Sequence, residues 1–289
     1  MKIHNLILYI SFCILTLQPK LAFVQEENAV ESEDINNYRS FSIHFKKLEY
    51  ASYSTIKPDF PFIIGYPSFN SNALGLDVNY SFKPKKLIHN FSINAILPSR
   101  ITSDNGTGNN YLINIDKSSY NRYETRYYFL NKLWNIYNVN FFYGFSSSAL
   151  YENRILHFLS DDLIRQEDIN FGIGPVLSLN WRFLKLFTLN AEGHYLIFLP
   201  YTCYGRYSFD NNITETRVDN YYPVTYKSFW DISLDAKIFK TTSLSAGYRN
   251  TSQIGYGNSK NSIIINNIIT SKMDRLNEIY LGININIAD

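Results

Sequence analysis

The chain has 289 residues, a formal net charge of +2, 18% charged residues and 17% aromatic residues. The near-neutral balance argues against a general nucleic-acid binder, and no segment past the N-terminus offers eighteen uninterrupted apolar residues for a membrane helix. With 24 Tyr and 21 Phe, residue types that favour strands, the first expectation is an all-β protein.

The N-terminus reads as a secretory signal peptide. Lys2 supplies a positive start and Leu6 to Leu17 (LILYISFCILTL) an apolar core too short for a comfortable membrane helix. Residues 1–24 are assigned to it, with cleavage after Ala22 as the alternative. Its removal takes away Lys2 and Lys20 and brings the formal charge to zero. Cys203 is then the one remaining cysteine, which excludes an internal disulfide framework. Residues 25–38 are polar and acidic (QEENAVESEDINN and Tyr38) and are expected to be a flexible lead-in.

From residue 39 the sequence alternates with period two, the spacing of strands with two unlike faces. Tyr38 to Ala51 sets Phe41, Ile43 and Phe45 on one face. Leu74, Leu76, Val78 and Tyr80 follow against Gly75, Asp77 and Asn79, and Lys83-Pro84-Lys85 turns the chain. Phe91, Ile93 and Ala95 oppose Asn90, Ser92 and Asn94. Tyr123, Thr125, Tyr127 and Phe129 oppose Arg122, Glu124 and Arg126, with a turn expected near Asn131-Lys132. A fifth segment is read from Trp134 to Phe145 and a sixth from Asp168 to Trp181. The seventh sets Leu189, Ala191 and Tyr195 against Asn190, Glu192 and His194.

The eighth, 230–239, is WDISLDAKIF: Trp230, Ile232, Leu234, Ala236 and Ile238 alternate with Asp231, Ser233, Asp235 and Lys237. The ninth opposes Leu244, Ala246 and Tyr248 to Ser245, Gly247 and Arg249. The last sets Ile279, Leu281, Ile283, Ile285 and Ile287 against Glu278, Tyr280, Gly282 and Asn284. Short turns are expected after even-numbered segments and long polar loops after odd-numbered ones. Long loops at every second connection are foreign to a compact soluble domain. Further alternation in Tyr111 to Ile115 and Ser262 to Thr270 leaves room for extra strands.

These features together resemble a bacterial outer-membrane β-barrel. The segments suit tilted spanning strands, and the loop asymmetry matches long outer loops and short periplasmic turns. Trp134, Trp181 and Trp230 sit at strand ends, as girdle aromatics do. The final strand is similar to the recognition signal of the barrel-assembly machinery, with Tyr280, Gly282, Ile285 and Ile287 in matching places. It departs in carrying Ile287 where an aromatic is usual, followed by Ala288-Asp289.

The resemblance implies one antiparallel up-and-down transmembrane β-barrel over residues 39–289, ten strands preferred and eight or twelve possible. It implies a Gram-negative outer-membrane location, with the lead-in and both termini periplasmic. Outer-membrane lipid, lipopolysaccharide and the assembly machinery are the implied partners, and an outside ligand would meet the long loops. The apolar faces should then meet lipid and the polar faces the lumen.

Arg122, Glu124, Arg126, Glu192, His194, Asp231, Asp235, Lys237, Arg249 and Glu278 are expected to form a mixed-charge network filling a narrow lumen. A narrow selective solute channel and an outer-membrane hydrolase, protease or lipid-modifying, are the alternatives. A secreted soluble β-protein is the reading without a membrane. For the hydrolase, Glu192 and His194 share a face one residue apart, so the carboxylate can orient the imidazole. Two polar residues on one lumen-facing strand are commonplace, however, and no nucleophile accompanies them. His44, His89, His157, His194 and Cys203 are scattered without metal-ligand spacing, so neither a metal nor a cofactor is expected.

Overall fold

A computed structural model describes residues 38–56, 69–83, 87–104, 117–136, 138–157, 163–183, 186–198, 202–209, 212–219, 224–256 and 269–288. The signal peptide, the lead-in up to Asn37 and the 111–115 segment lie outside the described residues. The strands are β1 (Tyr38–Ile56), β2 (Phe69–Lys83), β3 (Leu87–Asp104), β4 (Ser119–Ile136), β5 (Val139–His157) and β6 (Leu163–Phe183). They continue with β7 (Phe187–Phe198), β8 (Thr202–Phe209), β9 (Asn212–Asp219), β10 (Val224–Lys237), β11 (Thr242–Tyr256) and β12 (Ile269–Ala288). Each of β1 to β6 pairs antiparallel with the next. β7 pairs with β10, β10 with β11, β11 with β12, and β12 with β1. The result is a closed ten-strand barrel. β8 and β9 form a hairpin inside the long β7–β10 connection, and β8 extends the wall by pairing with β6 from Leu163 to Ile169.

Closure follows from the register. Tyr38 of β1 lies opposite both Lys83 of β2 and Ala288 of β12. The start of β1 and the end of β12 therefore sit at the end that carries the short turns. Two expectations are corrected here. β4 runs on through Asn131-Lys132 to Ile136, so Trp134 lies near the end of β4 instead of opening β5. Asn138, just before β5, has φ 68°, a left-handed conformation that Asn tolerates well. β5 also runs on to His157, which makes the β5–β6 connection short.

Exposure settles which face meets lipid. Ile279, Leu281 and Phe45 are 63%, 65% and 70% exposed, and Ile232 and Leu234 share that outward register. Their neighbours one residue away are buried or half-buried. Aromatic contacts border this apolar belt. Toward the short turns, Trp134 packs on Phe141 and Trp181 on Phe183. Toward the loops, Tyr123 stacks on Tyr151, Tyr195 on Tyr226, and Trp230 tilts against Tyr248.

Beyond the second border the two faces exchange character. Outward positions become polar, as with Lys47, Glu49, Asn72 and Arg275, all exposed. Inward positions become apolar, with Leu48, Tyr50, Ala73, Ile96, Tyr120 and Leu276 forming one buried cluster and Leu150, Leu196 and Phe198 another. The strands thus rise past the lipid belt and pack like a small soluble barrel above it.

Leu234 is outward within the belt, where Arg costs roughly 2–4 kcal/mol at mid-depth. Leu234→Arg is expected to reduce the folded fraction more than Asp235→Ser, read as heat-modifiable gel mobility after refolding. Equal tolerance of the two would contradict the outward placement.

Candidate functional site: a charged network across the lumen

A ten-stranded barrel is little wider than one filled by its own side chains. The inward residues of β1, β2, β4, β5, β10, β11 and β12 meet across it. Arg249 on β11 donates from Nε to Asp231 at 2.7 Å and from Nη1 to Asp77 on β2 at 3.0 Å. Lys46 on β1 bridges Glu278 at 2.8 Å and Asp77 at 3.2 Å. The Tyr280 hydroxyl donates to Asp231 at 2.6 Å. Gly247 lies opposite Tyr280, and a Cβ there would fall 2.3 Å from the ring, so the small residue makes room for that reach.

A second group centres on Glu124 of β4. It receives Lys227 of β10 across the lumen, the Ser148 hydroxyl at 2.7 Å, Arg122 at 3.1 Å and Arg126 at 3.5 Å. Arg122 also approaches Glu152 at 3.6 Å and so leads to a third group. There Arg154 of β5 meets Glu152 at 3.2 Å, Asp274 of β12 at 3.3 Å and Asp168 of β6 at 3.8 Å. Tyr50 and Ser52 donate to Asp274, and Tyr120 donates to Glu152. Tyr50 and Tyr120 stack at 4.1 Å across the lumen.

Phe229 joins the first two groups. The Arg126 guanidinium lies 3.9 Å from its ring centroid and that of Arg249 5.7 Å, and His194 stacks on it at 4.0 Å. Cations on an aromatic face gain most where water is excluded. Charges this far from water are costly alone, and the mixed signs with added hydroxyl donors are what keep them.

The expected residues divide as follows. Arg122, Glu124, Arg126, Asp231, Arg249 and Glu278 lie in the network. Glu192 and His194 form a pair beside it, Nε2 to Oε1 at 2.6 Å, with the His194 side chain fully enclosed. Asp235 meets amides instead of cations: Asn190 at 2.8 Å and Asn284 at 3.0 Å. Lys237 is exposed at the short-turn end and sits apart from the network, a correction to its expected place. Tyr280 and Gly282 face inward, while Ile285 and Ile287 are exposed on the belt.

Lys46, Glu152, Arg154, Lys227, Asp274 and Phe229 escaped the sequence reading. Most lie where the apolar alternation changes face, so the pattern that marks each strand breaks off before reaching them. Continuing each strand's parity past the aromatic border would have found them. Among the described residues no group of His, Cys, Asp and Glu is arranged to hold a metal ion.

No protein-family model matches the chain. No curated protein matches it in sequence. Among solved structures, the outer membrane protease OmpT from Escherichia coli superimposes with a TM-score of 0.57 at 8% identity, over 90% of this chain and 99% of that one. The fold is that of a bacterial outer-membrane β-barrel. A major outer membrane protein from Thermus thermophilus aligns at a TM-score of 0.43 and 10% identity, over 86% of this chain and 99% of its own.

Removing Arg249 would leave Asp77, Asp231 and Glu278 close together, with Lys46 still bridging Asp77 and Glu278. Arg249→Ala is expected to destabilise the barrel by about 3–5 kcal/mol, the range for a buried pair broken on one side. Urea unfolding in micelles, followed by tryptophan fluorescence, measures it. A loss below about 1 kcal/mol, the ordinary value for an exposed pair, would contradict the enclosed network.

Proposed function

We propose that this chain is a sealed integral protein of the Gram-negative outer membrane, standing as a rigid scaffold for its loop end and not as a conduit. The observation that carries this is the crossing of the lumen by ion pairs between distant walls, above all Arg154 of β5 with Asp274 of β12 and Lys227 of β10 with Glu124 of β4. A path for solute would have to break several such pairs at once. The strands that rise above the lipid belt, with the β8–β9 hairpin, carry the loops outward, where variable loops on a rigid frame serve as contact surfaces. In this reading the short turns and both termini are periplasmic, the belt contacts outer-membrane lipid and lipopolysaccharide, and the final strand engages the assembly machinery.

Reconstitution in planar bilayers tests the reading. The wild type is expected to show no steady conductance. A steady current whose ion selectivity reverses on Arg249→Glu would replace the scaffold with a selective channel.

The Glu192–His194 pair supports the hydrolase alternative through its 2.6 Å contact. Its surroundings speak for bracing instead. The imidazole is stacked against Phe229 and edges onto Tyr128, which leaves no approach for a peptide or acyl group. Incubation with peptides or lipopolysaccharide is expected to give no turnover. Turnover abolished by Glu192→Gln and His194→Ala would establish the enzyme.

A further inference from the structure

Below the charged network the lumen has another chemistry. From Asp235 to the short turns its wall is largely amides and hydroxyls, with Leu130 and Ile88 as apolar members on β4 and β3. Asn180 donates to Asn190 at 2.6 Å, Asn190 and Asn284 donate to Asp235, and Asn79 donates to Ser42 at 3.2 Å. Asn79, Asn180, Asn190 and Asn284 are half-exposed. One or two inward positions deeper, Asn94, His194 and Ser245 are buried at 3–5% exposure. Among the described residues this gradient outlines a cup that faces the short-turn end and is floored by Tyr280 and the Arg249 group.

The mouth of the cup is cationic. Strand alternation places Lys83 of β2, Lys132 of β4, Arg182 of β6 and Lys237 of β10 in the inward register at its rim, and Lys132, Arg182 and Lys237 are exposed. Among the described residues Asp235 is the one carboxylate from its own level to the rim, held by two amide donors, and the next, Glu192, lies deeper and is paired with His194. A ring of one sign around a low-dielectric cavity concentrates its field on whatever enters. Behind the ring the amides and hydroxyls offer donors and acceptors in alternation, and Phe142, in the inward register opposite Lys132, adds a half-buried ring face.

We propose that this cup is a binding site for a small anionic sugar, its carboxylate or phosphate held by the cationic rim and its hydroxyls by the amide wall. The site needs no passage through the barrel and is reached from the short-turn side alone. It is therefore compatible with a sealed lumen. A purely ionic site would need no amide wall, and a neutral-sugar site would need no cationic rim.

Calorimetry on the full chain in micelles tests it with trigalacturonate, uncharged maltotriose and citrate. Trigalacturonate is expected to bind, more weakly as salt rises, while maltotriose and citrate bind at least about tenfold more weakly. The double change Arg182→Gln and Lys237→Gln, at exposed positions, is expected to weaken trigalacturonate about tenfold or more with folded gel mobility unchanged. Lys47→Gln, on the outward face above the lipid belt, should leave binding as it is. Absence of trigalacturonate binding at millimolar concentration, binding indifferent to the double change, or equal binding of citrate would each overturn the proposal.

Discussion

Inside lipid every backbone N–H and C=O must find a partner within the protein, and a strand can satisfy that only in a sheet without edges. The ladder between β1 and β12, running from Tyr38–Ala288 up to Ile56–Ile269, supplies the closure. All else in the barrel depends on it. Once the sheet is closed, alternate side chains have nowhere to go but lipid or lumen, and a one-residue slip would exchange them. Ten strands also keep the lumen narrow, so that long inward side chains reach the opposite wall.

The lumen answers with three kinds of filling. Near the short turns, amides and hydroxyls bond across neighbouring strands and leave a cup. In the middle, carboxylates, guanidiniums and lysines pair between distant strands, with Phe229 laid between two arginines. Above, Leu48, Ile96, Leu276 and the stacked Tyr50 and Tyr120 pack as an ordinary core. The order tracks what lies outside the wall. Where lipid covers the outer face, the apolar residues are already placed there and the interior is left polar. Where the wall stands clear of lipid, the hydrophobic effect drives the same residue types inward.

Shape and charge constrain one another in this interior. Tyr280 reaches Asp231 because Gly247 leaves space beside it, and Arg249 can serve Asp231, Asp77 and Glu278 because Tyr280 and Phe229 hold water away. The likeness to OmpT at 8% identity extends to the fold, since closure and alternation demand a pattern of apolar and polar positions and few particular residues. What distinguishes this chain lies in the lumen and at its two mouths.

Within the belt, the sequence by itself determined the class of fold and the facing of each strand. Ile279 to Ile287 and Trp230 to Ile238 repeat with period two, and closure turns that local rule directly into lipid and lumen faces. Half of the network was legible for the same reason: Arg122, Glu124, Arg126, Asp231, Arg249 and Glu278 lie opposite unmistakable apolar positions. Tertiary structure alone decided which of them meet. Arg154 and Asp274 are far apart in the chain and sit on opposite sides of the barrel, and no local pattern joins them. It also decided where the strands end. β5 continues through Glu152 and Arg154 with its apolar residue, Leu150, now on the inward face, because beyond the lipid boundary the oily side of a strand turns toward the other wall.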